Sequence, residues 1–316
     1  MKQLMRVLAF ALLCATVLSV PWAMKGAAVD VRERIRPRDT RWQGVVSVGF
    51  VPTFPMERAG SWLKMCAKVF AEENDNVLVT LREMTKVGVQ TGAAAQTLPD
   101  VMVFGKMVLS EAEQREWLVE ESISPVAAGA YALLGNRDLL EKAGWQEGMS
   151  AEETLALEGA RIAVPKREYG DPMAALCRMG SAEGAVEDAY ARLWPDFALE
   201  GKYALYVATQ REILRMQQLR SAGRGSETVL IVPKEPLGED QTLLCAAVRA
   251  ELTARQDDEA CAQWAEMWRQ SLAMEAQQAA LAQVGLFSVM EDAGLYEEGH
   301  PLRRVEELMT ACGRLS

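Results

Sequence analysis

Gly44-Val45-Val46-Ser47-Val48-Gly49-Phe50-Val51-Pro52-Thr53-Phe54 is the stretch on which the fold reading turns. Its apolar residues run almost without interruption, which suits a strand buried on both faces better than one with a wet side. Pro52 ends the run because it brings no N–H to a ladder. Downstream, Trp62, Met65, Cys66, Val69 and Phe70 fall at i, i+3, i+4, i+7 and i+8, so a helix with one apolar stripe is expected, with Ser61 as its cap. Asn74-Asp75-Asn76 predicts a turn, after which Val77, Val79 and Leu81 alternate as a strand. A third apolar run, Val101-Met102-Val103-Phe104, follows Pro99-Asp100 and stops at Gly105. Ser110 and Glu113 have capping-box spacing and open a helix through Leu118. Strands alternating with helices argue for a mostly parallel sheet covered by helices, an α/β fold.

A second cycle starts near Ala127. Residues 131–134 predict a crossing strand and 138–140 a short helix ending at Gly144, and Ser150 with Glu153 repeats the capping box. Residues 161–165 predict a strand, followed by a polar loop and a helix from Pro172. Helix signals continue over 185–193, then 203–208 reads as a strand running into a helix over 211–219. Residues 221–226 are loop, 229–233 strand, and from Leu243 a strand leads into helices with Trp264, Trp268 and Leu272 on one face.

Composition bounds the function. The chain has 316 residues, is half hydrophobic and one quarter charged, and carries a formal charge of -10. That balance is globular, excludes a disordered or collagen-like chain, and at this length suggests about two domains. The acidic excess argues against nucleic acid as a partner, since phosphate binding needs clustered Lys and Arg. A single histidine, His300, excludes a His-rich metal site and argues against a His-based triad; it precedes Pro301 and reads as a surface loop residue. No metal, cofactor or catalytic motif is expected. Lys2 and Arg6, the apolar residues 7–20, Pro21 and the small residues at 23 and 26–28 have the order of a secretory signal peptide over 1–28. An uncleaved anchor is the alternative, although the apolar run falls short of the ~20 residues of a spanning helix. Residues 29–43, with Arg32, Arg34, Arg36, Arg38 and Arg41 around Pro37, read as a tether. Of six cysteines Cys14 lies in the signal, and no CxxC occurs. Cys245 and Cys261 are the pair to test for a disulfide, with buried thiols the alternative.

Five segments in order resemble those of the extracellular solute-binding proteins of ABC importers, family 1, the sugar-binding type, in a short form. They are the strand and aromatic loop at 44–54 with Phe70-Ala71-Glu72-Glu73-Asn74; Leu98-Pro99-Asp100-Val101-Met102-Val103-Phe104-Gly105; Tyr131-Ala132-Leu133-Leu134-Gly135-Asn136-Arg137-Asp138-Leu139-Leu140-Glu141-Lys142-Ala143-Gly144; Gly201-Lys202-Tyr203-Ala204-Leu205-Tyr206; and Gln277-Gln278-Ala279-Ala280-Leu281-Ala282 before Gly285-Leu286-Phe287-Ser288-Val289. Arg137 stands where the family's usual residue is Lys. The resemblance implies a two-lobed, periplasmic-binding-protein-like (type II) α/β fold, each lobe a mostly parallel sheet flanked by helices. Lobe 1 would hold 44–128 plus 240–316 and lobe 2 would hold 129–239, with crossings near 127–134 and 238–245. A small-molecule solute, a sugar or oligosaccharide, would lie between the lobes at the carboxyl ends of strands and be captured by hinge closure. The implied partners are the membrane subunits of an ABC permease; the protein would be extracytoplasmic, monomeric and non-enzymatic.

Exposed groups at strand ends are the candidate ligand contacts. Phe54 offers an aromatic face and Arg58 a guanidinium after the first strand. Lys106 follows the 101–104 strand. Lys166, Arg167, Tyr169 and Asp171 lie before the helix from Pro172, whose N-terminus attracts anions and hydroxyls. Thr209, Gln210 and Arg211 end another strand, Thr209 also fitting a cap, and Glu239, Asp240 and Gln241 precede the return crossing. Each also reads as an ordinary surface or core residue. Two other functions fit the chain: a sensor partner or scaffold on the same fold, and a secreted hydrolase with a carboxylate pair such as Glu168 and Asp240.

Overall fold

The computed structural model describes residues 42–53, 56, 58–168, 171–180, 182–234, 242–254, 259–290 and 294–311. The expected signal peptide, the tether up to residue 41 and the start of the return crossing lie outside them. The chain order is β1 (Gly44–Val51), α1 (Ala59–Glu73), β2 (Val77–Glu83), α2 (Lys86–Ala94), β3 (Val101–Gly105), α3 (Glu111–Trp117), β4 (Ser124–Ala128), β5 (Tyr131–Asn136) and α4 (Arg137–Lys142). It continues through α5 (Ala151–Leu155), β6 (Ile162–Lys166), α6 (Pro172–Met179), β7 (Ala185–Ala189), α7 (Tyr190–Ala198), β8 (Leu205–Thr209), α8 (Gln210–Ser221) and β9 (Thr228–Ile231). The last elements are β10 (Leu243–Val248), α9 (Ala250–Ala254), α10 (Glu259–Ser271), α11 (Glu275–Ala279), a 3-10 turn (Ala280–Val284) and α12 (Arg303–Ala311).

Among the described residues the strands form two five-stranded sheets, ordered β2-β1-β3-β10-β4 and β7-β6-β8-β5-β9. β1 runs parallel to β2 and β3, with Val48 opposite Leu81 and Val101. β6 runs parallel to β7 and β8. Each sheet has one reversed strand in the same place: β10 is antiparallel to β3 and β4, and β5 to β8 and β9. The reversal has a simple cause, because each of these strands arrives from the other sheet. β5 follows β4 across Gly129-Ala130, and β10 follows β9. The expected mostly parallel α/β architecture is therefore present in both sheets. β3, β5 and β8 are buried along their whole length. That double burial is why the sequence shows apolar runs there rather than alternation. β2, an edge strand, does alternate, with Val77 and Val79 in and Leu78 out.

Several local expectations are corrected. α1 begins at Ala59, with Arg58 in the cap position and no side-chain cap bond, so Ser61 lies inside the first turn. Ala59 and Gly60 are buried and extend the packed face one turn earlier than the apolar stripe suggested. Residues 185–189, expected as helix, form edge strand β7 on β6, and the helix starts at Tyr190. An edge strand needs little apolar sequence of its own, which hid it. Cys245 and Cys261 are thiols and not a disulfide. Cys245 packs with Met102, Phe104 and Leu118 in a cluster to which α10 contributes no residue. His300 is half-buried, its ring stacked on Tyr296 at 4.6 Å and its Nδ1 accepting from the Leu302 N–H. Both expected capping boxes, Ser110/Glu113 and Ser150/Glu153, are present.

With β10 the chain returns to the first sheet, and beyond it the Trp62 indole donates to the Gln277 carbonyl at 2.8 Å. It then passes to the second. Ala128 and Phe287 exchange two backbone hydrogen bonds of 3.0 and 2.9 Å. Phe287, Tyr296, Leu302, Val305 and Met309 pack in one buried cluster with Trp194, Phe197, Tyr206, Ile213 and Met216. Beside that bridge the Gly129 N–H donates to the Thr242 carbonyl at 2.8 Å. Three passages between the sheets thus lie side by side.

Candidate ligand site

The carboxyl ends of the parallel strands gather the polar residues that matter, as open α/β sheets do. β1 ends in Val51, followed by Thr53, Met56 and Arg58; β3 ends in Gly105, followed by Lys106. β6 ends in Lys166, followed by Arg167, and β8 ends in Thr209, followed by Gln210 and Arg211. The reversed strands begin at the same edges, with Tyr131 opposite Thr209 and Leu244 opposite Gly105.

In the second sheet this edge is built around Glu212, which is fully buried. Its carboxylate accepts from the Thr209 N–H at 2.9 Å and from the Thr209 hydroxyl, closing the capping box of α8. Arg167, whose side chain is 2% exposed, donates to the other carboxylate oxygen, and the Tyr206 hydroxyl lies 3.5 Å from it. The Arg167 guanidinium also stands 5.1 Å above the Tyr190 ring. A buried pair of this kind offsets the desolvation of both ions only while each keeps its partner. Burial, opposed by Arg167 and reinforced by Glu212 and Asp171, pushes the Tyr131 phenol up to about 12. Burial raises the Tyr206 phenol as well, again with Glu212 adding to it.

The sequence-derived contacts divide. Arg58 is exposed at the start of α1, and Arg211 is half-buried. Together with Gln210, Leu214, Val284 and Gly285 they line one narrow crevice. This brings the β1–α1 turn of the first sheet against α8 of the second. Enclosing only about 10 Å³, the crevice is far below the ~300–1,000 Å³ of typical small-molecule sites and has room for about one water. Gln210 is 1% exposed and its Oε1 accepts from the Ala130 N–H at 3.1 Å. Its amide, with the Met56 methyl, sits 2.8–3.0 Å from where a side chain on Gly129 would begin, so the crossing admits them only because residue 129 is glycine. Gln210 therefore braces the passage between sheets, a role the exposed-loop reading missed. Asp171 is exposed and caps α6, accepting from the Ala174 N–H at 2.8 Å. Lys106 is exposed beyond β3, its N–H donating to the Leu243 carbonyl at 2.9 Å, and does not line the crevice. Phe54, Tyr169 and Asp240 lie outside the described residues. Sequence reasoning passed over Thr53, Tyr131 and Glu212. For Glu212 a signal existed, since Thr209 with an acid three residues on is the capping-box spacing.

A larger groove of about 470 Å³ runs between α1 and β2, lined by Lys64, Lys68, Glu72, Leu78 and Leu81. It follows the outer edge of the first sheet and has no strand-end polar groups. Among the described residues no cluster of His, Cys, Asp or Glu is arranged to hold a metal, and no helix is long and apolar enough to cross a membrane.

No family model and no curated protein matches the amino-acid sequence. Solved structures do match the fold. RafE from Streptococcus pneumoniae, in its apo form, superposes with a TM-score of 0.56 at 15% identity over 88% of this chain and 87% of its own. The GacH receptor of Streptomyces glaucescens, solved unliganded and with acarbose, gives 0.54 at 15% identity over 85% and 86%. The tungstate-binding protein TupA from Desulfovibrio alaskensis gives 0.53 at 12% identity over 75% and 93%. At such identities the likeness concerns architecture. Two helix-flanked sheets joined by adjacent crossings, with polar groups at the strand ends, are the two-lobed, periplasmic-binding-protein-like fold that this chain shares with these structures.

Proposed function

We propose that the protein is the extracytoplasmic, non-enzymatic solute-binding component of an ABC transporter. It captures a small solute by hinge closure and presents it to permease membrane subunits. The observation that carries this reading is the crevice where Arg58, from the first sheet, meets Gln210 and Arg211, from the second, beside the three crossings. A ligand touching both sides there stabilises the closed arrangement by its differential contacts. Lobe 1 would comprise residues 44–128 and the return segment as far as the 3-10 turn, and lobe 2 would comprise 129–239. The buried cluster of residues 287–309 with Trp194 and Tyr206 supports giving the last segment to lobe 2 as well. For the ligand we favour a sugar or oligosaccharide over an oxyanion such as tungstate. Arg167 is already matched by Glu212, and the guanidiniums of Arg58 and Arg211 that line the crevice beside the Gln210 amide suit the hydroxyls of a sugar as hydrogen-bond acceptors.

Titration calorimetry of the mature chain against glucose, maltose, maltotriose, sucrose, sodium tungstate and sodium molybdate tests this. Saturable binding of a sugar is the expected result. Binding of tungstate or molybdate alone would overturn the ligand class, and no heat from any of them would overturn solute capture. The narrow crevice, with Met56 and Gln210 packed at Gly129, favours a second reading: a sensor partner or scaffold that keeps the fold without transport. A hydrolase using Glu168 and Asp240 has less behind it, since Glu168 is simply exposed after β6. The protein is proposed to act as a monomer, secreted or held at the outer face of the cell membrane.

A further inference from the structure

Among the described residues two hydroxyls are buried without a hydrogen-bond partner, Thr53 Oγ1 and Tyr131 OH. Thr53 is 5% and Tyr131 1% exposed. A buried hydroxyl without a partner costs about 1–3 kcal/mol, and native folds rarely leave one without reason. Their positions supply a reason, because each stands at the ligand edge of a different sheet. Thr53 follows β1, and its side chain covers Gly105 at the end of β3, the methyl lying 2.6 Å and Oγ1 3.3 Å from where a side chain on Gly105 would begin. Tyr131 is the first residue of β5, opposite Thr209, with Arg167, Glu212 and Asp171 as the charges acting on its phenol. Both groups are neutral and can donate or accept. Beside Tyr131 the charges of Arg167 and Glu212 are matched to each other, which suits a neutral hydroxyl partner.

We propose that Thr53 and Tyr131 are specificity-determining residues, one from each sheet, whose hydroxyls are completed by hydroxyl groups of a neutral polyhydroxylated solute. This rests on the solute-binding reading and deepens it by naming the groups that select the ligand class. Thr53→Val and Tyr131→Phe remove one oxygen each with little change of shape. Because neither hydroxyl has a partner in the ligand-free chain, each variant keeps or raises the melting temperature without ligand. Each also weakens the sugar bound by the parent, among glucose, maltose, maltotriose and sucrose, by tenfold or more in calorimetry. The proposal is overturned if sugar affinity is unchanged in both variants, with the solute-binding reading left standing. It is equally overturned if either variant melts several degrees lower without ligand, which would mean that the hydroxyl has a structural partner. Binding of tungstate alone by the parent overturns the neutral class while keeping solute capture. A parent that binds none of these probes overturns solute capture and this inference with it.

Discussion

Replacing Gln278 with alanine should unfasten the place where the chain makes its last passage between sheets. Gln278 is 1% exposed and its amide is fully used. Nε2 donates to the carbonyls of Val126 at 2.8 Å and Leu272 at 2.7 Å. Oε1 accepts from the Ser288 hydroxyl at 2.8 Å and the Val289 N–H at 3.0 Å. One side chain therefore ties β4, the turn after α10 and the segment following the Ala128–Phe287 bridge. At a net ~1 kcal/mol per hydrogen bond, Gln278→Ala should cost about 4 kcal/mol, a large share of the ~5–15 kcal/mol of a native fold. With a urea m value of ~3 kcal/mol/M, the unfolding midpoint falls by about 1.3 M. Equilibrium urea unfolding followed by tryptophan fluorescence measures this. Gln278→Glu is the informative companion. At neutral pH it turns a carboxylate toward two carbonyls and should be at least as damaging. Protonation restores one donor, so part of the loss should return as pH falls. A midpoint within about 0.3 M of the parent for the alanine variant, roughly 1 kcal/mol, would refute the view that this amide holds the passage.

Three further outcomes follow from other sites. Gly285 has φ of +75° and a side chain there would begin 2.4 Å from Leu214 Cδ1. Gly285→Ala should therefore cost about 1–3 kcal/mol, and adding Leu214→Ala should recover part of it; identical melting temperatures for single and double variants would locate the cost in the backbone alone. Glu212→Gln leaves Arg167 buried without its counter-charge and should cost about 3–5 kcal/mol by chemical denaturation, whereas a loss below ~1 kcal/mol would mean that water reaches the pair. Burial alone would raise the Glu113 carboxyl, but hydrogen bonds from Gln90 and from the Ser110 N–H and hydroxyl, with Lys86 nearby, hold it below the usual carboxylate value. A lowered folded-state pKa gives stability that is present above the unfolded value of ~4.3 and lost as pH falls through the folded one. Glu113→Gln should flatten that acid limb between about pH 5 and 3, and an unchanged pH profile would deny the carboxylate this contribution.

Much of the architecture was legible in the chain because it follows from short-range rules. The apolar runs at 45–51, 101–104 and 131–134 are strands, since only strands covered on both faces tolerate such runs. The boxes at Ser110 and Ser150 are visible because a cap and its acid are three residues apart. Edge strand β7 was not legible, because a half-exposed Ala-Val-Glu-Asp-Ala carries no periodic signal and is a strand only by virtue of β6 beside it. The neighbourhood of some candidate contacts was legible. Arg58, Gln210 and Arg211 were picked for their places after strands, and they do meet in one crevice.

What the amino-acid order decides by itself is the succession of strands and helices, the polar character of the strand ends and the globular, acidic make-up, all set by interactions within a few residues. Tertiary structure alone decides that Gln210 braces Ala130 80 residues away and that Arg167 is matched by Glu212. It also decides that Thr53 and Tyr131 hold unmet hydroxyls at corresponding edges. Burial and hydrogen-bond satisfaction depend on which distant backbone arrives alongside, and local sequence carries no record of that arrival.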